Sequence, residues 1–244
     1  MPKSEFSGGL DDILQPVTAS LKHYEFRKGG RSYNRMREDG VIHVIGFQMG
    51  QFPIGDYVIP GVRESYYGKF AINLGVFLPC VVEVERGPKS KRFFQDYDCQ
   101  IRSRLRSAPA EDKDQWWEIK PPYFERGQEI AALIETTGMP FLDKFTSYRS
   151  VLDYFEEHRK FPFQNPGRSA LEAAILYRAV GNSTKSIETV AIARSGVGQN
   201  PRFADYVATV ERKMLSGGTA AHNAVKNITP KITRKSKLGI SPIE

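Results

Sequence analysis

The sequence predicts an α+β protein: an N-terminal helix packed on a four- to five-stranded, mostly antiparallel sheet, followed by a helical C-terminal half. Two observations favour this class. Alternating β-prone runs and turn signals occupy the first half of the chain, whereas apolar stripes at helical spacing occupy the second. Apolar residues make up 40% of the chain and aromatic residues 11%, which is enough for a packed core.

The chain begins with a predicted helix and a predicted hairpin. Residues 7–22 carry apolar side chains at helical spacing, with Ser7 as the expected N-cap. Pro16 predicts a kink or an early end of this helix because proline lacks the amide hydrogen. An Asp-Gly turn between residues 31–37 and 41–48 predicts an antiparallel hairpin.

Three further segments carry strand patterns. Residues 66–78 alternate most clearly, and residues 81–85 are expected to extend this strand beyond Pro79. Residues 98–106 predict a strand that is buried on one face. Residues 116–119 predict either a last edge strand or a covering segment.

The second half of the chain reads as helices punctuated by Gly and Pro. A helix is predicted over residues 126–137, and an apolar stripe from Phe141 to Phe155 predicts one more. Three further helices are predicted at about 168–180, 184–194 and 201–215. The short link between the first two of these predicts an αα-hairpin, which we interpret as a cap or docking element.

Composition shifts suggest three units: a helix plus antiparallel sheet at 1–125, a helical region at 126–215 and a flexible basic tail at 216–244. The net charge of +7 is uneven, because residues 216–244 contribute +4 and the remainder only +3. This distribution weakens the interpretation of the folded part as a dedicated nucleic-acid binder. The tail is either a flexible basic arm that contacts acidic partners or, as is more common, a segment that keeps the protein soluble.

One part of the sequence resembles a known family. Residues 26–50 (FRKGGRSYNRMREDGVIHVIGFQMG) and 69–79 (KFAINLGVFLP) resemble the domain-of-unknown-function 4304 family, and the later DCQIRSRL and WWEI segments fit the same pattern. The resemblance covers about residues 10–155. It implies no activity and no site residues, because the family carries no established function.

Residues with catalytic or metal-binding chemistry are scattered. The four histidines lack metal-ligand spacing, so we expect no metal and no cofactor. We interpret Cys80 and Cys99 as small apolar residues on strands. His43 lies on a predicted strand face, where it is either a core or sheet-face histidine with satisfied partners, or a catalytic base or ligand-binding residue. No catalytic signature is present, so the sequence favours a protein that is not an enzyme without excluding one.

The sharpest polar feature is a ladder of arginines. Arg102, Arg104 and Arg106 alternate along one strand, which points three guanidinium groups the same way about 6–7 Å apart. Arg92, in a basic loop, adds charge, and nearby Phe93, Phe94 and Tyr97 could add stacking. The alternative is an exposed sheet face whose arginines pair across strands with the carboxylates of Glu83, Glu85 and Glu118.

Two classes of function follow. The first is a non-catalytic protein-interaction or accessory module, in which the sheet face or the helical cap docks a protein partner. The second is a protein, conceivably an enzyme, that binds nucleic acid or another phosphate-bearing polyanion through the arginine strand. The absence of a long apolar run and of an N-terminal export signal leads us to expect no membrane partner and a cytoplasmic location.

Overall fold

Six strands form one antiparallel sheet in the computed structural model, which describes residues 5–50, 65–87, 91–107, 114–196 and 200–216. The strands are β1 (Arg27–Gly29), β2 (Ser32–Met36), β3 (Ile42–Met49), β4 (Lys69–Phe77), β5 (Ile101–Arg104) and β6 (Trp117–Glu118). Their spatial order is β1-β2-β3-β4-β5, and β6 pairs with β4. Of the tail predicted at 216–244, Ser216 ends a helix and residues 217–244 lie outside the described residues.

The strand predictions are largely confirmed. The hairpin of β2 and β3 places Tyr33 opposite Ile45, and β3 in turn places Ile45 opposite Leu74 of β4. These side chains belong to the main apolar core on one face, the inner face. β1 was not predicted from the sequence. Only three residues form that strand, too few to show a period.

Eight α-helices occur among the described residues. They are α1 (Ser7–His23), α2 (Pro79–Arg86), α3 (Tyr123–Leu133), α4 (Met139–Leu142), α5 (Tyr148–His158), α6 (Pro166–Ala179), α7 (Ser183–Ser195) and α8 (Pro201–Ser216). None of these helices is long and apolar enough to cross a membrane.

The first helix is longer than Pro16 suggested. α1 runs without a break for 17 residues with Pro16 inside it, and its apolar stripe is buried against the sheet and α3. The N-cap is Phe6 rather than Ser7. The Ser7 hydroxyl instead accepts a hydrogen bond from Arg31 Nη2 at 2.7 Å, a tertiary contact that replaces capping.

One predicted strand is wrong. Residues 81–85 belong to α2, which starts at Pro79 instead of continuing β4. Proline is favoured at the first helical position because its missing amide hydrogen is not needed there. Cys80 therefore lies on a helix and not on a strand, and burial raises the pKa of its thiol to about 12.

The apolar stripe from Phe141 to Phe155 spans two helices instead of one. α4 ends at Leu142, and α5 begins after Ser147, whose hydroxyl accepts a hydrogen bond from the Ser150 amide. Ser147 is the N-cap of a second helix. Despite the break between α4 and α5, Phe155 lies in the core and Phe141 packs against it. α6 and α7 form the predicted αα-hairpin, with Gly181 at φ 82° in the link.

The sheet and the C-terminal helices share one apolar core, which extends from Leu10 to Met214. The predicted units 1–125 and 126–215 therefore have no separate cores, and whether they fold as separate units stays a prediction. Fold class follows plainly from this layout: an N-terminal helix, one antiparallel sheet and a helical second half.

A buried ion cluster joins α2, α6 and α8. Arg168 Nη2 lies 2.6 Å from Glu85 Oε1, and Arg168 Nε donates to Glu172 Oε1 at 2.7 Å. Arg168 Nη1 donates to the Tyr206 hydroxyl at 2.5 Å. Burial raises the pKa of Glu172 to about 7, because one guanidinium serves two carboxylates that have almost no solvent.

Candidate functional site

The outer face of the sheet, away from the main core, is covered by residues 93–99, here called the strap. Three glycines lie beneath it: Gly29 under Phe93, Gly46 under Asp96 and Gly75 under Cys99. A Cβ atom on these glycines would lie 2.6, 3.1 and 2.6 Å, respectively, from the nearest strap atom. The strap can lie against the strands because these positions carry no side chain.

Hydrogen bonds between side chains of β2 and the backbone of the strap fix the strap in position. Asn34 Nδ2 donates to the Phe94 carbonyl at 2.9 Å, and the Phe94 amide donates to Asn34 Oδ1 at 2.7 Å. The Ser32 hydroxyl donates to the same carbonyl at 3.0 Å. Phe94 itself stacks on Phe77 with ring centroids 3.9 Å apart, so it belongs to a small second core and is not available for stacking on a ligand.

Asp96 is the polar centre of this face. Its carboxyl lies over Gly46 and accepts a hydrogen bond from Asn73. Burial raises the pKa of this carboxyl, although Arg102 and Arg104 oppose the shift. Asn73 Nδ2 also donates to Gln48 Oε1 at 3.1 Å, so amides and a carboxyl form one network beside the arginine strand.

β5 is shorter than the strand predicted over residues 98–106, so Arg102 and Arg104 alternate on it and Arg106 lies beyond its end. Ile101 and Leu105 are buried on the inner face, whereas Arg102 is exposed on the outer face and Arg104 is half-buried there. Cys99, which we expected on a strand, packs in the second core on the outer face. It precedes the strand, so the strand period does not apply to it.

Arg104 is held by several partners. Its Nη2 donates to Gln48 Oε1 at 3.3 Å, and its guanidinium carbon lies 5.2 Å from the ring centroid of Trp116. Trp116 in turn stacks on Tyr66 at 4.3 Å. The Arg104 Nε atom lies 3.5 Å from Asp114, which also lies 3.8 Å from Arg106. Both distances are long for charge-assisted hydrogen bonds.

The carboxylates that pair with the ladder differ from those we named. Asp114 is the partner of Arg104 and Arg106, whereas Glu85 pairs with Arg168 and Glu118 with Lys120. Arg102 has neither an ion pair nor a hydrogen bond through its side chain within the described parts of the chain. The half-exposed carboxylate of Asp114 therefore lies near two of the three guanidinium groups.

We define the outer-face patch by the residues that surround Asp96 and the arginine strand. They are Gln48, Tyr66, Asn73, Asp96, Arg102, Arg104 and Trp116. Arg92 is exposed directly before the strap, and Tyr97 is 67% exposed on it. The patch combines two arginines, of which Arg102 has no ion pair among the described residues, with aromatic side chains at the rim of one sheet face.

Comparison with known proteins identifies the family. The matching family model is the Domain of unknown function (DUF4304), over residues 17–144. The chain belongs to the DUF4304 family. No curated protein and no solved structure matches the chain. The matched residues include all six strands and the whole outer-face patch, and they end before α5.

His43 lies apart from the arginines, on the inner face of the DUF4304 sheet. Its Nε2 donates to the Phe145 carbonyl at 2.8 Å, and its Nδ1 accepts from Arg35 at 3.0 Å. Arg35 also pairs with Asp143 at 2.6 Å. Burial lowers the pKa of His43 to about 4, so the ring is neutral and both of its nitrogen atoms have partners.

This position of His43 predicts a stability effect. Replacing His43 with alanine should lower the unfolding free energy by about 2 kcal/mol, because the Phe145 carbonyl and Arg35 lose a buried partner. In the wild type the folded-state pKa lies below the unfolded value of 6.5, so this group's contribution declines as pH falls from 6.5 to 4. Urea unfolding at pH 5 and pH 8 measures both effects.

The matched control is the exposed His158 changed to alanine. If the His43 variant kept the stability of the wild type and the same loss of stability between pH 6.5 and 4, the role of His43 as a buried hydrogen-bonding partner would be contradicted. If the His43 variant were less stable but its stability depended on pH as in the wild type, only the neutral state assigned to the His43 ring would be contradicted.

Five members of the patch within the DUF4304 region were not identified from the sequence: Gln48, Tyr66, Asn73, Asp96 and Trp116. A signal existed on β3 and β4, where glycine and a polar residue alternate on the same face in Gly46-x-Gln48 and Asn73-x-Gly75. Such small and amide residues mark a strand face that is covered by another segment. No cluster of three metal-ligating side chains occurs among the described residues.

Proposed function

We propose that the protein is a non-catalytic protein-interaction module that docks an acidic protein partner on the outer-face patch. The observation that carries this proposal is the Arg104 guanidinium held over Trp116, beside an exposed Arg102. Arginine and tryptophan are the side chains that most often dominate protein–protein binding energy. A guanidinium held in place by its neighbours loses little entropy when it binds.

The charges of the patch support an acidic partner. Among the described residues, Asp114 lies near Arg104 and Arg106; its side chain is 47% exposed and lies beyond close hydrogen-bond distance of both. Burial raises the pKa of Asp96, so its carboxyl takes up a proton more readily than an exposed aspartate does. A partner carboxylate could therefore replace Asp114 without leaving a buried charge unpaired.

The test is capture by the full-length protein from nuclease-treated native extract, identification of the partner and titration with that partner after purification. Replacing Arg102 and Arg104 together with alanine should weaken binding about tenfold or more, and wild-type binding should weaken as salt rises. The matched control is Arg149→Ala with Arg202→Ala, which removes the same charge from two exposed helical positions.

Equal loss with the control pair would show that net charge, and not the patch, governs binding, and would overturn the proposal. The second candidate, binding of single-stranded nucleic acid, rests on the spacing of the β5 guanidinium groups. It would replace the first if nuclease abolished capture and a labelled oligonucleotide bound in a manner that depends on Arg102 and Arg104.

A further inference from the structure

β5 forms one edge of the sheet. It pairs with β4 on one side, and β6 lies further along the same edge of β4. Within the described residues no strand pairs with the other side of β5. An edge of this kind presents backbone groups that can pair with another chain.

The register shows which backbone groups point outward. The Leu105 amide donates to the Ile72 carbonyl at 2.9 Å, so Leu105, Ser103 and Ile101 occupy the positions that face β4. Hydrogen-bonded and non-bonded positions alternate in an antiparallel ladder. The amide and carbonyl of Arg102 and of Arg104 therefore point away from β4, and no hydrogen bond to these groups occurs within the described parts of the chain.

Arg102 and Arg104 therefore carry both the backbone groups that point away from β4 and the positively charged side chains. An extended segment added antiparallel to β5 would pair its backbone with Arg102 and Arg104. The paired residues of the added strand would present their side chains on the outer face, about 5 Å from the two arginines. Residues two apart on an extended strand lie about 6–7 Å apart, the same spacing as the two guanidinium groups.

We infer that the acidic partner docks by strand addition, with an extended segment that carries carboxylates at alternate residues and pairs with the β5 edge. This inference rests on the proposed function and names its mode of recognition. Main-chain hydrogen bonds supply affinity in this mode, and side chains at alternate positions supply specificity. The arginines also disfavour pairing of two β5 edges, because like charges would then lie opposite each other.

The probe is a synthetic peptide with capped ends in which threonine and glutamate alternate over nine residues. Two methylated versions of it have the same charge. One carries N-methyl groups on the glutamates, whose amides would face β5, and the other carries them on the threonines, whose amides would face away. Binding to the full-length protein is measured by fluorescence anisotropy with a labelled probe.

We expect the unmethylated and threonine-methylated peptides to bind similarly, and the glutamate-methylated peptide to bind at least tenfold more weakly. Arg102→Ala with Arg104→Ala should weaken all binding, whereas Arg149→Ala with Arg202→Ala should not. Equal binding of the two methylated peptides, lost on arginine replacement, would overturn strand addition and leave arginine-dependent docking intact. No binding of the unmethylated peptide would also overturn strand addition, while capture of the partner judges the proposed function separately.

Discussion

Replacing Arg168 with methionine should lower the unfolding free energy by about 3–5 kcal/mol at pH 8, because it leaves two buried carboxylates without their cation. Glu85 and Glu172 retain side-chain exposures of 2% and 1%. Methionine fills a similar volume, so the lost charge and the lost hydrogen bonds dominate the effect. Urea denaturation of the full chain measures it.

The penalty should shrink as pH falls, because Glu172 can then take up a proton in the folded state. In the wild type, the pKa of Glu172 gives the direction in which stability changes with pH. Its folded-state pKa of about 7 exceeds the ordinary value of 4.5, so stability rises as pH falls from 7 to 4.5. Glu172→Gln should therefore add about 2 kcal/mol at pH 8 and little at pH 4, after allowance for one lost acceptor.

The control for Arg168 is the exposed Arg149 changed to methionine, which should stay within about 0.5 kcal/mol of the wild type. A small effect of Arg168→Met at pH 8 would mean that water reaches the cluster and solvates both carboxylates. A pH-independent penalty would show that packing, and not charge, holds α6 against α2 and α8.

Replacing Gly127 with alanine should lower the unfolding free energy by about 3 kcal/mol. A Cβ atom at this position of α3 would lie 2.3 Å from the Ile13 carbonyl oxygen and 2.4 Å from Pro16 Cγ. Both atoms belong to α1, so the two helices would have to move apart and uncover part of the core. Thermal unfolding monitored by circular dichroism measures the loss.

Gly8→Ala provides the matched control, because the same substitution in α1 meets no atom within 4 Å. Alanine is the better helix former, so this variant should gain up to about 1 kcal/mol. Equal stability of the Gly127 variant and the wild type would mean that α1 and α3 can separate slightly at no cost, against the close packing described here.

The fold could be predicted well where one segment carries its own period. β4 was located because nine residues alternate, and α8 because its buried side chains recur at helical spacing. Prediction failed where a local signal has two interpretations. The apolar run after Pro79 fits a strand or a short helix, and the stripe from Phe141 to Phe155 does not reveal the break at Ser147.

Within the candidate site, period two along β5 was enough to place Arg102 and Arg104 on a common face. It could not reveal that Asp96 lies over Gly46, because the two are fifty residues apart and meet only when the strap crosses the sheet. The same limit applies to Asp114, which replaced the expected partners Glu83, Glu85 and Glu118.

By itself, the sequence determined the α+β class, the hairpin, the alternation of β5 and the family to which the chain belongs. These properties depend on residues close together along the chain, where spacing alone decides which side chains share a face. Only the tertiary structure decided that β5 is an edge, that His43 faces the core and that Arg104 lies on Trp116. Such contacts depend on strand order and on the path of the connecting segments, which distant residues set together.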